Sequence, residues 1–439
     1  MILLVIPVTT DSKDEDRSFY LERSTRRHFF QKTANTNTMR NHNTFTNKQL
    51  AIFGSNAASR ARTRGFRQVR RAGTLAPTPL DRPVQTESPP GILYAWWITG
   101  FTDGDGCFSI SFAKRLRLNT KIDVRAGFSI SQHMRSKSTL EQIQAFFGCG
   151  SLRFDKRDHN YKFDTPGGTL ICISDKIIPH FTKYPCLTAK QTDFLLLQRA
   201  IKLIQERRHL DCTGIVDIFY IAFQMNPSGK RKYSYQDLLD IVGIGPHDPL
   251  RLAVPPKSDS PERFSERITQ MPPELDPWWV TGFSDAEGSF VISGYALKRT
   301  ATLARFSAVF VIGQHAGSSY VLKAIQKFFK CGSIYFNTSD NTYHYRVSRL
   351  TDIMSCVIPH FEKYPLITSK FKSFVTFRQV CEKLVKGEHK TAKGTSEILK
   401  LIETINPKKT HALTWLCERK SSSLCVCGGL FRPRNKLKV

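Results

Sequence analysis

A repeat within the chain constrains its fold more than any other feature of the sequence. Residues 96–112 read WWITGFTDGDGCFSISF and residues 278–294 read WWVTGFSDAEGSFVISG, and ten of these 17 positions are identical. Unrelated segments of average composition would agree at roughly one position. The two copies also share CGS, at 149–151 and 331–333, and IPHF further downstream. The chain therefore holds one unit of about 135 residues twice.

The repeat divides the chain into five predicted parts. They are a disordered or flanking leader (1–90), a first repeat (91–230), a linker rich in proline (231–275), a second repeat (276–410) and a basic tail (411–439). The leader has no acidic residue from Arg23 to Leu80, and its polar composition cannot bury much apolar surface. Its bias towards arginine partly resembles a mitochondrial presequence, which predicts a mitochondrial location, with flanking sequence of no role as the alternative.

Both repeats show the same predicted order of elements, αββαββα, which belongs to the α+β class. A helix covers about 94–104 and 276–286, and the alternating residues after it predict a strand with one wet face. A second strand and a helix follow, and then two short strands, placed in the first repeat near 150–154 and 169–173. Helices close each unit, and one short helix is expected in the linker near Tyr235–Val242.

Each first helix is predicted to end in an acid followed by glycine. These acids are Asp105 and Glu287. A carboxylate there faces the negative end of the helix dipole, which costs about 0.3–1 kcal/mol. Because the misplaced acid occurs twice in register, a cation is expected to compensate it. Carboxylate and terminal carbonyl oxygens together suit Mg²⁺.

Small residues predict that these two helices pack side by side. Gly100 and Gly282 occupy equivalent places on them, and glycine lets two helix backbones approach closely. Such packing would bring the terminal acids together at one end. Asp103 and Asp285 lie two residues earlier, roughly 200° round the helix, and are predicted to have structural or supporting roles.

One face of each predicted sheet is expected to contact nucleic acid. The chain has 65 Lys and Arg against 37 Asp and Glu, a net charge of +28, which favours a polyanionic partner. A two-stranded ribbon fits the DNA major groove, although an ordinary solvated face is the alternative. Side chains two apart share a face, and the predicted DNA contacts are Cys107, Ser109, Ser111, Arg115, Arg117, Asp123, Arg125, Ser129 and Ser131, then Ser289, Val291, Ser293, Tyr295, Arg305, Ser307, Val309 and Val311.

The cysteines and histidines predict neither a zinc site nor a disulfide framework. The 11 Cys include no CxxC pair and are expected to be reduced, with Cys149 and Cys331 packed in the core. His180 and His360 lack the spacing of metal ligands, so core or capping roles are predicted. The apolar start, residues 2–8, is too short to span a membrane, and no membrane partner is expected.

The motifs resemble those of a known family. ITGFTDGDG (98–106) and VTGFSDAEG (280–288) are similar to the two motifs of the LAGLIDADG homing endonucleases, as are HFTKYPCLTAKQTDF (180–194) and HFEKYPLITSKFKSF (360–374). The resemblance covers about residues 94–230 and 276–408. It implies two pseudo-symmetric halves with saddle-shaped antiparallel sheets, the motif helices at their interface, and a monomer.

The resemblance also implies an active site and a reaction. The metal ligands would be Asp105 and Glu287, helped by the carbonyls of Gly104 and Ala286, and the basic residues near the cut would be Lys190 and Lys370. The implied reaction is site-specific hydrolysis of both strands of duplex DNA in intron homing. Mg²⁺ or Mn²⁺ would support cleavage, and Ca²⁺ binding alone. Staggered cuts are expected, because two phosphates on opposite strands meet across a minor groove about 6 Å wide.

Two alternatives remain at this point. One is an RNA-binding splicing maturase of the same fold, with intron RNA as its partner. The other is a DNA-binding regulator without catalysis. Retention of both helix-end acids favours cleavage over either.

Overall fold

The computed structural model describes residues 4–8, 93–165, 170–226, 229–251, 255, 267–268, 270–297 and 300–405. Residues 4–8 form strand β1 (Leu4–Val8). The rest of the predicted leader, much of the linker and the predicted basic tail lie outside the described residues. Among the helices in the described part of the chain, none is long and apolar enough to cross a membrane.

The first repeat is a four-stranded antiparallel sheet covered by helices. It begins with the first motif helix, α1 (Ala95–Asp105), and continues through β2 (Gly106–Lys114), β3 (Ile122–His133), α2 (Lys137–Phe147), β4 (Ser151–Asp155) and β5 (Asn160–Asp164). The helical segment α3 (170–183), α4 (Lys190–Gln205) and α5 (Cys212–Gln224) complete it. The strand order is β2-β3-β5-β4.

The second repeat has the same architecture. The linker helix α6 (Tyr235–Val242) precedes the second motif helix, α7 (Pro277–Glu287), which is followed by β6 (Gly288–Leu297), β7 (Thr300–His315), α8 (Tyr320–Phe329), β8 (Ser333–Asn337) and β9 (Thr342–Val347). The helical segment α9 (350–363), α10 (Lys370–Val385) and α11 (Ala392–Ile405) close it. The strand order is β1-β6-β7-β9-β8, so the α+β prediction with two equivalent halves is confirmed.

One predicted strand is wrong. The sequence placed it near 169–173, but residues 170–183 are helical, with a π-helical turn at Ile173–Ile177. The strand that pairs with β4 is β5, which follows after a short turn. The physical reason lies in the spacing of the apolar residues. Ile173, Ile177 and Phe181 recur every four residues and are fully buried, which is the pattern of one helix face.

The linker helix is confirmed at its predicted bounds, Tyr235–Val242. Its first turn is closed by a capping box, in which the Ser234 side chain accepts from the backbone N–H of Asp237 and the Asp237 carboxylate accepts from that of Ser234. Two reciprocal hydrogen bonds satisfy amides that a helix start otherwise leaves unpaired. This local chemistry explains why a helix forms within a stretch rich in proline.

Each repeat buries its own aromatic core between sheet and helices. In the first repeat the rings of Phe108 and Phe128 stack with centroids 5.2 Å apart, and Phe181 meets Phe108 edge-on at 5.0 Å. Phe290 and Phe310 stack at the same 5.2 Å in the second repeat. These phenylalanines are fully buried, so the repeat in the sequence is also a repeat in packing.

The two histidines of the IPHF segments belong to these cores. The Nε2 atom of His180 lies 3.3 Å from the Thr99 hydroxyl, and that of His360 lies 3.1 Å from the Thr281 hydroxyl. Burial lowers the pKa of His180 to about 4 and that of His360 to about 3. Both rings are therefore neutral at physiological pH, and the predicted core role is confirmed.

The cysteines depart from the prediction in one place. Cys149 and Cys331 pack against the cores of their repeats, as expected. Cys149, however, forms a disulfide with Cys172, so the expectation of reduced cysteines is wrong for this pair. Cys172 lies on the helical segment that was predicted as a strand, and this helix places its sulfur against the loop that holds Cys149.

The two motif helices pack directly against each other. A Cβ placed at Gly100 would lie 2.1 Å from the carbonyl oxygen of Trp279, and a Cβ placed at Gly282 would lie 2.1 Å from that of Trp97. No side chain fits in so small a space, so the backbones touch at these positions. The predicted role of the two glycines is confirmed.

Strand β1 extends the second sheet. It pairs antiparallel with β6, with Ile6 opposite Ile292. The predicted leader thus contributes one strand that the sequence analysis did not anticipate. Its run of apolar, mostly branched residues, LVIPV, suits an edge strand, and proline is tolerated at such an edge.

We expect a chain that begins at Pro90 to fold but to self-associate. The core residues whose burial the structure describes lie at Leu93 or later, and these cores are expected to form without the leader. Removal of β1 leaves the edge of β6 unpaired, and a bare edge is a template for pairing with another chain. Far-UV circular dichroism and light scattering test both parts. A truncated chain as monodisperse as the full chain would contradict the role given to β1.

Candidate metal and nucleic-acid site

The two helix-end acids lie side by side. Asp105 is the last residue of α1 and Glu287 is the last residue of α7. A Cβ placed at Gly104 would lie 2.2 Å from the Cβ of Ala286 and 3.1 Å from the Cγ of Glu287. The packed helices therefore bring two carboxylates from different repeats to one end of the interface.

A lysine from each repeat caps the adjacent helix end. The ammonium groups donate to carbonyl oxygens of the last helical turn, Lys190 to Thr102 (3.0 Å) and Gly104, and Lys370 to Ser284 (3.4 Å) and Ala286 (2.6 Å). A cation here offsets the negative end of the helix dipole. The compensating cation expected from the sequence is thus, in this structure, an ammonium group.

This arrangement bears on the predicted metal ligands. The Gly104 and Ala286 carbonyls each accept from a lysine, Lys190 and Lys370, and their assisting role at a metal stays a prediction that would use their second lone pairs. The carboxylates of Asp105 and Glu287 remain half-buried. Two hard oxygen ligands with room for water suit Mg²⁺, which keeps several waters when it binds to protein. The residues present therefore fit a divalent ion held mainly by carboxylates.

Lys370 is a buried cation among carboxylates. Its side chain is 4% exposed. Burial lowers the pKa of Lys370, while the charges of Asp105, Asp285 and Glu287 act in the opposite direction. A buried amine with a lowered pKa exchanges its proton more readily than a solvated one.

Gln132 is a site residue that the sequence analysis missed. Its Nε2 atom donates to Asp105 Oδ2 at 2.6 Å. It lies at the penultimate position of β3, next to the motif helix. The signal was present in the sequence, because the pair Gln-His recurs at 132–133 and 314–315. A polar pair kept in both copies beside the acids indicates a role at the site.

Asp103 and Asp285 face away from this site, as predicted. Both carboxylates are 2% exposed, and burial raises the pKa of each against the opposing effect of several hydrogen bonds. Each accepts from a tryptophan indole of the opposite motif helix and from a backbone N–H in the loop before its own repeat's lysine-bearing helix. They therefore support the site without belonging to its surface.

The wet sheet faces carry most of the predicted contact residues. Exposed residues on the strands are Ser111, Arg125, Ser131, Arg305 and Ser307, and Arg115 and Arg117 are exposed in the turn after β2. Partly exposed are Cys107, Ser109, Asp123, Ser289, Val291, Ser293 and Val311. The side chain of Tyr295 lies outside the described residues.

Two predicted contacts are wrong. Ser129 is 7% exposed and Val309 is 6% exposed, too little for a direct contact with a nucleic acid. Ser129 lies on an inner strand between Cys107 and Asp164, and Val309 lies opposite Val291. Neighbouring strands shield small side chains on an inner strand, an effect that alternation along one strand does not show.

Asp123 forms ion pairs with two arginines of the first repeat. Its Oδ2 atom lies 3.0 Å from Arg125 Nη2 and 3.7 Å from Arg115 Nε. Both arginines are about half exposed, and exposed ion pairs contribute only about 0–1 kcal/mol. The arginines are thus prearranged but can exchange Asp123 for a phosphate or a base edge at little cost.

Basic residues on the third and fourth strands were missed. In the first sheet Lys162 lies opposite both Ser131 and Arg153, and in the second sheet Arg346 lies opposite Val311. Directly paired residues project from the same face of a sheet, so these side chains extend the predicted face. The misplaced strand at 169–173 concealed Lys162 and its pairing with Arg153. The alternation in NYKFD (160–164) would have revealed that strand.

Comparison with known proteins places the chain in a family. The model of the LAGLIDADG endonuclease family matches residues 98–201 and 280–381. Probable intron-encoded endonuclease 2 of Neurospora crassa is 26% identical over 319 residues, which make up 71% of this chain and 65% of that protein. Uncharacterized mitochondrial protein RF1 of Saccharomyces cerevisiae is 24% identical over 348 residues, 72% of this chain and 60% of that protein. The chain spans less than two thirds of the length of either relative.

A solved structure has the same architecture. The I-LtrWI LAGLIDADG homing endonuclease bound to target DNA matches with a TM-score of 0.61 and 25% identity, over 71% of this chain and 97% of that one. The residues that match the family model include 98–105 and 280–287 of the motif helices, together with Lys190 and Lys370. The chain belongs to the LAGLIDADG endonuclease family and carries the family motif twice.

Proposed function

We propose that the protein is a site-specific endonuclease that binds one long, asymmetric duplex and cuts both of its strands with a divalent metal in intron homing. One observation carries the proposal: the packed motif helices bring Asp105 and Glu287 together at one end of their interface, and each helix leads directly into a sheet with exposed polar and basic side chains. Members of the family that resemble the chain are named as intron-encoded endonucleases or described as bound to target DNA.

Asp105 and Glu287 would hold the metal, for which Mg²⁺ or Mn²⁺ is the expected ion. When bound, such an ion stabilises charge on the scissile phosphate and lowers the pKa of a bound water. The amide of Gln132 holds Asp105 Oδ2 and so fixes the orientation of that carboxylate. Its other oxygen, Oδ1, would then be the one that holds the ion.

Lys190 and Lys370 would act on the phosphate. Each ammonium donates to carbonyl oxygens in the last turn of a motif helix, the turn that ends in one of the two acids. A positive charge there favours the developing charge of the reacting phosphate. Because burial lowers the pKa of Lys370, this lysine is also able to give up a proton to the leaving oxygen.

The sheets would read the DNA on either side of the cut. A two-stranded ribbon enters the major groove, where arginine recognises guanine. The two faces carry different residues at equivalent places, for example Arg125 in one and Ser307 in the other, so an asymmetric target is expected. One chain supplies both halves, and we therefore expect a monomer on its target. A mass of two chains per duplex in light scattering would contradict this.

Removal of Arg153 or Lys162 is expected to weaken DNA binding and its salt dependence. If each side chain neutralises one phosphate, substitution by alanine lowers the log–log salt slope by about 0.9. Lys202→Ala is the matched control, because Lys202 is exposed on α4, which packs on the opposite side of the sheet. Fluorescence anisotropy over a salt series measures all three slopes. Equal slopes in the Lys162 and Lys202 variants would exclude the predicted contact.

A mitochondrial location remains part of the proposal. The leader is rich in arginine and lacks acids from Arg23 to Leu80, a bias found in presequences. The relative from Saccharomyces cerevisiae is named as a mitochondrial protein. Fusion of residues 1–90 to a fluorescent protein tests import directly, and a diffuse cytosolic signal would count against it.

Cleavage selection from a randomised duplex library tests the function. With Mg²⁺ the protein is expected to enrich one long sequence without internal symmetry. Binding of one duplex without cleavage under Mg²⁺ or Mn²⁺ would identify a regulator instead. Specific binding of structured RNA without DNA cleavage would identify a splicing maturase.

A further inference from the structure

The helix that carries each lysine begins in a loop held by a buried aspartate. In the first repeat the Asp103 carboxylate accepts from the backbone N–H of Leu187 (2.8 Å), from that of Thr188 (3.0 Å) and from the Thr188 hydroxyl (2.5 Å). The Thr188 hydroxyl in turn accepts from the backbone N–H of Lys190. This chain of hydrogen bonds fixes the start of α4 and thereby the point from which the Lys190 side chain extends.

The opposite repeat supplies two more contacts to this loop. The indole N–H of Trp279 donates to Asp103 Oδ2 at 2.9 Å. The hydroxyl oxygen of Ser318 accepts from the backbone N–H of Ala189 at 3.2 Å. Both residues belong to the second repeat, whereas the loop and its lysine belong to the first.

The arrangement recurs with the repeats exchanged. Asp285 accepts from the backbone N–H groups of Ile367 and Thr368, at 2.8 and 3.2 Å, and from the indole of Trp97 at 2.9 Å. The hydroxyl oxygen of Ser136 accepts from the backbone N–H of Ser369 at 3.3 Å. Here the first repeat provides the indole and the hydroxyl, and the second repeat provides the loop before Lys370.

The tryptophans and aspartates that make these contacts are buried, so the loss of one hydrogen bond is not made good by water. Trp97 and Trp279 are 0% exposed, and the two aspartates are 2% exposed. Water cannot reach a carboxylate at such a depth, so loss of one donor leaves an oxygen under-satisfied. The carboxylate must then shift or take up a proton. Either change loosens its hold on the loop that places the lysine.

We propose that each half of the enzyme positions the lysine of the other half. Trp279 and Ser318 hold Lys190 in place through Asp103 and the 187–189 loop, and Trp97 and Ser136 hold Lys370 in the equivalent way. The inference rests on the proposed nuclease function. These four residues are positioning residues, because all four are buried and act on the lysines only through the aspartates and the loops. Each lysine is then correctly placed only when the two repeats are packed together, which couples the cuts on the two strands.

Cleavage measured separately on the two strands tests the inference. Lys190→Met and Lys370→Met are used first, to identify the strand whose cut depends most on each lysine. Trp97→Phe is expected to slow the Lys370-dependent strand by about tenfold to a hundredfold, since small misplacements have effects of this order. The other strand is expected to stay within about twofold of the wild-type rate, so nicked duplex accumulates. Trp279→Phe is expected to slow the Lys190-dependent strand.

Three further variants keep the test decisive. Trp96→Phe makes the same chemical change one residue earlier, where the ring packs edge-on against Tyr184, and is expected to leave both rates unchanged. Ser136→Ala and Ser318→Ala remove only the hydroxyl contacts and are expected to slow the same strands as Trp97→Phe and Trp279→Phe, respectively. They carry the test if a tryptophan variant fails to fold.

The outcomes separate the inference from the nuclease proposal. If the wild-type protein cuts neither strand with Mg²⁺ or Mn²⁺, the nuclease proposal fails. If it cuts both and the variants at Trp97 and Ser136 slow both strands equally, the role is general packing and the inference is overturned. Slowing of the Lys190-dependent strand by Trp97→Phe would overturn it as well, because the effect would then stay within one repeat.

Discussion

Asp105→Asn and Glu287→Gln are each expected to lower the rate of double-strand cleavage on the order of a thousandfold. Each substitution keeps the shape of the side chain but removes the negative charge that would hold a divalent ion. The two acids lie at adjacent helix ends from different repeats, so neither can replace the other. Single-turnover cleavage of the selected duplex at saturating enzyme measures the loss.

Binding separates a lost metal ligand from a lost fold. In Ca²⁺ both variants are expected to keep their affinity for the duplex within a few-fold, because the sheet faces are unchanged. Asp217→Asn is the matched control. Asp217 is an acid on α5, about half exposed and paired with Arg208, and its loss is expected to leave cleavage intact. Wild-type rates in either helix-end variant would remove the assignment of the acids.

Gly100→Ala and Gly282→Ala are expected to destabilise the protein by about 3 kcal/mol or more, the upper range for overpacking. On an isolated helix the same change would stabilise by about 1 kcal/mol. The sign reverses because the added Cβ would lie 2.1 Å from a carbonyl oxygen of the opposite motif helix. The helices must move apart, and this also separates Asp105 from Glu287.

Urea unfolding of the variants measures the change. Gly245→Ala is the control, because a Cβ at Gly245 meets nothing within 4 Å, and its midpoint is expected to stay close to that of the wild type. A rise in the urea midpoint of Gly100→Ala would show that the helices do not pack through this residue. Cleavage by the surviving folded fraction is expected to fall as well, because the acids are no longer adjacent.

Local signals were sufficient to predict the motif helices. Their predicted bounds differ from Ala95–Asp105 and Pro277–Glu287 by about one residue at each end, because a glycine follows each terminal acid and alternation begins at once. The linker helix Tyr235–Val242 is likewise set by its own capping residues. Where structure follows from neighbours in sequence, the prediction holds.

Other features depend on residues distant in sequence and could not be predicted in this way. Lys190 caps a helix end 86 positions earlier, and only the fold brings the two together. Ser129 has the alternation of a surface residue but lies on an inner strand. The apolar run predicted as a strand at 169–173 is too short by itself to distinguish a strand from a helix, and only the continuation to Ile177 and Phe181, buried on the same face, decides for the helix.

The central claim is that the paired acids at the helix ends cut both strands of one duplex. Sequencing of both product ends on each strand, with Mg²⁺ and then with a chelator, tests it most directly. The account predicts one cut on each strand, offset across the minor groove, with both cuts lost on chelation and in Asp105→Asn. Cleavage of a single strand, or cuts that persist without a divalent metal, would contradict it.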